Sequence, residues 1–196
     1  MTGATSGIGK ELARILYSKN AKVYAAARRD GENALETIKA SEPRSAGSLT
    51  FLPVDLSDLA SVKTAADKFL AAESKLHVLF NNAGIMSGDD GENISRTAQG
   101  YEVQLGVNCL GPFLLTKLLL PTLRATAASR DDGLVTNEVR VVFVSSFAAE
   151  MHHEKCVGID MADLDYRQRP RASIQRYGVS KVGAWCYGVE LSRRFR

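Results

Sequence analysis

The feature that most constrains this chain is a glycine-rich turn running straight into a helical pattern. Thr2-Gly3-Ala4-Thr5-Ser6-Gly7-Ile8-Gly9 spaces its glycines as G-x-x-x-G-x-G, and Lys10-Glu11-Leu12-Ala13-Arg14-Ile15-Leu16 follows with apolar residues at helical spacing. Such a turn lets backbone approach a phosphate. A pyrophosphate would then rest on the helix N-terminus, where free N–H groups and the helix dipole favour negative charge. The turn ordinarily follows a β-strand. Only Met1 precedes it here, so either the first strand is missing or something else fills its place.

The 196 residues suffice for one domain, residues 1–196, with a real core. A chain that is 45% hydrophobic and 24% charged belongs with soluble globular proteins. A net charge of +3 with scattered cations argues against a nucleic-acid partner. Two clusters stand out, Arg28-Arg29 and Arg193-Arg194-Phe195-Arg196, and the second suits a solvated helix end. No apolar run reaches membrane-spanning length and no signal peptide is legible. The three cysteines, Cys109, Cys156 and Cys186, lack C-x-x-C spacing, which fits a reducing compartment and argues against a disulfide framework or zinc ribbon. A cytoplasmic location is the expectation.

Along the chain, helical and strand patterns alternate. The first helix should stop near Asn20, and Lys22–Ala27 reads as a short strand. A helix around Asn33–Ala40 and a strand at Leu49–Val54 follow. Ser57-Asp58 can cap a helix reaching about Ser74, and His77–Phe80 is a compact strand. Residues 85–96 read as a loop. Tyr101 to Ala128 reads as a long helix bent or loosened by Gly106, Gly111 and Pro112. Val139–Val144 is the strongest strand pattern, residues 147–173 form a mixed loop, and Gln175 onward is helical. This order predicts an α/β fold, a doubly wound parallel sheet with its ligand site beyond the carboxyl ends of the strands.

Tyr177 and Lys181 lie four apart on the last helix and share a face. By itself that pair is common on protein surfaces. Chemically, an ammonium beside a tyrosine favours the tyrosinate and makes it a usable acid–base. Ser146, just past the strand at Val144, could meet Tyr177, whereas Ser145 would point elsewhere on an extended backbone. His152, His153 and Cys156 invite a metal reading, but no further ligand is suitably spaced, so no metal is expected. Cys109 reads as a small core residue, and Trp185 should pack on a neighbouring helix or a subunit.

Taken together these residues resemble the short-chain dehydrogenase/reductase family. The matching stretches are the turn from Thr2 to Gly9, Asp55-Leu56, Asn81-Asn82-Ala83-Gly84, Asn108, Ser145-Ser146 and Tyr177 with Lys181, in the family's order. Tyr177 falls 31 positions after Ser146, a spacing similar to retinol-dehydrogenase-type, long-loop members. The resemblance implies a Rossmann-like sheet in a single domain. It implies that Tyr177 exchanges the proton on the substrate oxygen, that Lys181 tunes it and binds the nicotinamide ribose, and that Ser146 holds the substrate oxygen. Asn108 would position a relaying water. Gly3, Ser6, Gly7, Ile8, Gly9, Asp55, Leu56, Asn82, Ala83, Gly84, Asn108, Tyr177 and Lys181 would contact the cofactor. Asp55 would accept from the adenine amine, although it also suits a cap before Ser57, and Asn81–Gly84 also suits an ordinary turn. An acidic residue after the strand at Val23–Ala27 would favour NAD(H). Ala27 stands there instead, followed by Arg28 and Arg29, which are placed either to pair with a 2′-phosphate, through Arg28 above all, or simply to be solvated, so NADP(H) is expected over NAD(H).

The implied activity is interconversion of a carbonyl and an alcohol on a small apolar, lipid-like or secondary metabolite. The resemblance implies a homodimer through the helices holding Asn108 and Tyr177, or a monomer, as in some long-loop members. It also shows two departures: the family's first strand is lacking ahead of Gly3, and its last strands are lacking after the Tyr177 helix. An orphaned buried backbone group costs about 1–3 kcal/mol and a domain has roughly 5–15 kcal/mol to lose, so this chain alone is expected to be unstable or inactive. The rival readings are a non-catalytic dinucleotide-binding or regulatory protein, and an inactive fragment of such an enzyme.

Overall fold

The computed structural model describes residues 1–29, 31–89, 94–129 and 139–195. Residues 90–93 of the expected loop and Arg196 of the basic cluster therefore lie outside the described residues. The order of elements is α1 (Gly7–Ser18), β1 (Lys22–Ala27), α2 (Gly31–Ser41), β2 (Ser48–Pro53), α3 (Leu59–Ala72) and β3 (Val78–Asn81). Then come α4 (Val103–Leu105), a π-helical turn (Gly106–Leu110), α5 (Gly111–Ala128), β4 (Arg140–Phe143), α6 (Ala148–His152) and α7 (Ser173–Arg194).

All strand pairing among the elements is parallel. β1 pairs with β2 from Lys22↔Ser48 to Ala27↔Pro53, and β3 pairs with β4 from Val78↔Arg140 to Asn81↔Phe143. The two pairs do not join into one four-stranded sheet. Met1–Gly3 stitch them together at one end: Ala26 N–H donates to Met1 O at 2.8 Å, Gly3 N–H to Ala26 O at 2.8 Å, and Thr2 N–H to Phe80 O at 2.9 Å. A doubly wound parallel arrangement is thus present, but its centre is occupied by only three residues.

The period of two along β1 sorts its side chains between two cores. Val23 and Ala25 face Ala13, Tyr17, Leu35 and Ile38 of α1 and α2. Tyr24 and Ala26 face the larger core of Val62, Ala66, Phe69, Leu79, Leu115 and Leu119, built by α3, β3 and α5. α1 closes at Asn20, which takes φ 64° in the left-handed region that Asn tolerates. Asp58 caps α3 by accepting from Ala60 N–H at 3.0 Å.

The loosening expected of the long helix takes the form of the π turn that Gly106 and Gly111 bracket, while Pro112 sits in the first turn of α5, where its missing N–H is harmless. Two other expectations needed revision. The expected loop at 147–173 contains α6, a helix too short to register as a periodic pattern. The helical stretch Val103–Ala128 is, contrary to the sequence reading, long and apolar enough by length and composition to cross a membrane, with mean hydropathy 1.5 over its most apolar window. Much of it is buried against α3 and β3, the position of a core helix.

Candidate active site

The glycine turn faces a cleft of about 710 Å³. Two of its glycines are required by close approach. A β-carbon on Gly9 would lie 2.0 Å from Gly3 O, and one on Gly3 would lie 2.9 Å from Ala83 Cα. Gly3 and Gly7 also take positive φ, 68° and 52°. Ser6 stands at the N-cap of α1 without a side-chain cap bond, so this helix end presents its first N–H groups to the cleft. That cradle suits a pyrophosphate in shape and in polarity.

Gly3, Ser6, Gly7, Ile8, Gly9, Arg28, Asp55, Leu56, Asn82, Ala83 and Gly84 all line this cleft, together with Arg29. Thr2 organises one wall. Its Oγ1 accepts from Asn82 N–H at 3.1 Å and Ala83 N–H at 3.0 Å, and Asn82 Nδ2 returns a bond to Thr2 O at 3.0 Å. Asp55 is split between both of its sequence readings: Oδ1 accepts from Ser57 N–H at 2.9 Å and Ser57 Oγ at 2.7 Å, while the residue still borders the cleft. Arg28 and Arg29 are exposed at the end of β1.

Asn108, Ser146, Tyr177 and Lys181 do not line this cleft; Gly84, on its border, leads to them. A β-carbon on Gly84 would sit 2.8 Å from Lys181 Nζ and 3.2 Å from Asn108 Oδ1, so Gly84, Lys181 and Asn108 meet at one point. Asn108 is held from the π turn: its Oδ1 accepts from Ile85 N–H at 2.8 Å, and its Nδ2 donates to Ile85 O and Ser180 Oγ, both at 2.9 Å. The amide therefore ties the β3 exit loop to α7. Lys181 is buried, donates to Val144 O at 3.1 Å, and has its pKa pushed down by desolvation. Its Nζ stands 5.7 Å from the centre of the Tyr177 ring.

Ser146 follows β4 and starts the turn into α6, accepting from Ala148 N–H at 3.2 Å. Ser145 points the other way and donates to Lys181 O at 2.8 Å, as the extended backbone required. Gly178 brings the two segments together. A β-carbon there would lie 2.5 Å from Ala148 O and 2.5 Å from His152 Cβ, so only glycine lets α6 lie against α7 beside Tyr177.

A family model described as short chain dehydrogenase matches residues 1–157. The chain belongs to the short-chain dehydrogenase/reductase family. A short-chain dehydrogenase/reductase from Phomopsis amygdali is 50% identical over 196 residues, which cover 99% of this chain and 56% of that protein. One from Neocamarosporium betae is 46% identical, over all of this chain and 56% of that protein. The chain thus spans about half the length of these curated relatives. Among solved structures, a protein from Mycobacterium Paratuberculosis superposes with a TM-score of 0.74 at 34% identity, covering 98% of this chain and 60% of that one. An NADPH-bound carbonyl reductase from chicken fatty liver gives a TM-score of 0.67 at 27% identity, covering all of this chain and 72% of that one.

Two expectations about neighbouring residues separate here. Cys109 is buried, within 3.4 Å of Tyr187 Oη, and burial pushes its thiol up to about 11, consistent with a core residue of this dehydrogenase fold. Trp185 is 61% exposed on α7, in a groove with Phe143 of β4, so of its two expected partners, a neighbouring helix or a subunit, the helix does not cover it. The sequence reading missed Thr2, Gly178 and the residues that anchor α7 beneath Tyr177. Arg176 and Glu102 are both fully buried, with Arg176 Nε 3.3 Å from Glu102 Oε1, yet their charges gave no periodic signal of burial. Among the described residues, no group of three or more His, Cys, Asp or Glu could hold a metal.

Proposed function

We propose that this chain carries the cofactor and proton-transfer residues of an NADP(H)-dependent oxidoreductase that interconverts a carbonyl and an alcohol. The observation that carries the reading is the position of Gly84: it borders the cleft of the Gly3–Gly9 cradle and Arg28 and lies against Lys181 and Asn108, with Lys181 Nζ 5.7 Å from the Tyr177 ring. Bound nicotinamide would supply or accept the hydride.

Ser6 and the α1 N-terminus would hold the pyrophosphate, and Arg28 would pair with a 2′-phosphate. The NADPH bound to the chicken carbonyl reductase is in keeping with that preference. Asp55 Oδ2 and the backbone of Asn82–Gly84 would hold the adenine side and the ribose. Lys181 would bind the nicotinamide ribose beside Tyr177. Tyr177 Oη would donate its proton to the substrate oxygen in reduction and take it back in oxidation, with Ser146 Oγ fixing that oxygen. Asn108 would hold the relay site beside Lys181. Past Ser146, the apolar side chains of Phe147, Met151, Val157 and Met161 are 64–73% exposed, which supports an apolar, lipid-like or secondary-metabolite substrate. Exposed Phe113, Trp185 and Val189 on α5 and α7 support a homodimer.

NADPH and NADH binding to residues 1–196, followed by energy transfer from protein fluorescence to the nicotinamide, tests the cofactor assignment. Saturable binding that prefers NADPH, with the preference lost in Arg28→Ala, is expected. Binding of neither nucleotide to the folded chain refutes it. In the longer protein, Tyr177→Phe should leave NADPH binding intact and lower carbonyl reduction by about 10²–10⁴.

A further inference from the structure

The loop that leaves β3 is tied to α7 at several levels. Gly84 lies against Lys181, and Asn108 joins Ile85 to Ser180. Two further ties involve residues outside the proposed proton-transfer set. Gln104, fully buried on α4, accepts from Ser87 N–H at 3.3 Å and donates from Nε2 to Ser173 O at 3.1 Å. Ser173 Oγ donates in turn to Ser87 O. Arg176, also fully buried, donates to Asp89 O and to Arg171 O, and Glu102 at the N-cap of α4 holds its Nε. Polar bonds enclosed in this way compete with no water and stiffen the segments they join. They fall on the first turn of α7, the part that most needs support. Its N-cap is Ala172, whose side chain has no acceptor for the orphan N–H groups, and helix ends of that kind fray. Ser173 O is also the carbonyl that the Tyr177 amide meets one turn on. Gln104 therefore grips that carbonyl from the side, while Arg176 anchors the residue directly before Tyr177.

We propose that Gln104 and Arg176 are positioning residues for Tyr177: they clamp the first turn of α7 to the loop that carries Gly84, so that the tyrosine hydroxyl and the cofactor wall keep one separation. The inference rests on the role proposed for Tyr177 and extends it to side chains that touch neither cofactor nor substrate. Proton transfer is sensitive to such placement, since a shift of about 1 Å at a reacting group can cost on the order of 10²-fold in rate.

The test compares the longer protein with its Gln104→Met and Ser173→Ala variants. Methionine keeps the buried volume and removes both bonds of Gln104, whereas Ser173→Ala removes the hydroxyl bond to Ser87 O and disturbs packing least. Amide hydrogen exchange, read without cofactor or substrate, should quicken about fivefold at Tyr177 and Gly178 in Gln104→Met and about twofold in Ser173→Ala. The amide of Val62, buried on α3, should keep its wild-type rate. In carbonyl reduction with NADPH, kcat per NADPH-binding site should fall roughly tenfold in Gln104→Met, with the KM for NADPH unchanged. Exchange that quickens equally at Tyr177 and Val62 overturns the proposal. So does a kcat per binding site equal to wild type despite a lowered melting temperature, because the bonds then serve stability alone. Should Gln104→Met fail to fold, Ser173→Ala decides by the same two readings. A wild-type protein that binds NADPH yet reduces no carbonyl refutes the proposed activity and not the clamp, which the exchange rates then decide on their own.

Discussion

Glu102→Met should be among the most damaging single substitutions in this chain. Glu102 and Arg176 are both wholly buried and joined Nε to Oε1 at 3.3 Å. Glu102 Oε2 also accepts from Leu105 N–H at 2.7 Å, capping α4. Arg176 further donates to Arg171 O at 2.6 Å and to Asp89 O, with Asp89 Oδ1 at 3.8 Å. Methionine at 102 keeps the volume and removes both the charge and the cap. Stripping one partner from a buried ion pair costs about 3–5 kcal/mol, and a lost cap about 1 kcal/mol. The sum, about 4–6 kcal/mol, is a large share of the roughly 5–15 kcal/mol available to a domain. In a chain of this length it should lower the melting temperature by roughly 10–20 °C. Arg176→Met should cost a similar amount, whereas the double variant should cost less than either single one, since neither charge is then left behind. Glu102→Gln retains an acceptor for Leu105 and isolates the charge. Denaturant unfolding of the four proteins in a double-mutant cycle measures the coupling directly. Additive costs, or a Glu102→Met penalty under about 1 kcal/mol, would show that water reaches Arg176 and refute the reasoning.

Gly9→Ala forces a β-carbon to 2.0 Å from Gly3 O and must open the turn; NADPH affinity should fall roughly 100-fold, near 2.7 kcal/mol, with circular dichroism unchanged. Gly178→Val drives its β-carbon against Ala148 O at 2.5 Å and should cost about 1–3 kcal/mol in thermal unfolding, with α6 losing its protection from proteolysis first.

The sequence made legible whatever rests on local repetition or on fixed turn chemistry. β1 falls at Lys22–Ala27 because its boundaries are set by Asn20 and by Arg28-Arg29, both readable as letters. The glycine turn was legible because no other residue meets its demands at Gly3 and Gly9. What escaped depends on contacts between segments distant in sequence. Gly178 is required only because α6 crosses it, and α6 is too short to declare itself. Glu102 and Arg176 look like solvated charges until the fold encloses both. Which of its two expected partners, a helix or a subunit, Trp185 meets is likewise not legible locally, since nothing in its neighbours says which way α7 turns it.

The π turn at Gly106–Leu110 carries a consequence for how such a chain can change over generations. A π turn is an α-helix holding one residue more than its hydrogen-bond ladder needs. Gln104 to Cys109 are buried without interruption, so this stretch has no solvent side on which neutral drift could accumulate. Deleting one residue there would restore a plain α-helix and turn α4, with Glu102, by about 100° relative to α5. Asn108 would leave Ile85 and Ser180 in the same step. The surplus residue is thus a ratchet: it could enter a helix while Asn108 was idle, but once Asn108 holds the β3 exit loop to α7, its removal undoes two unrelated contacts at once.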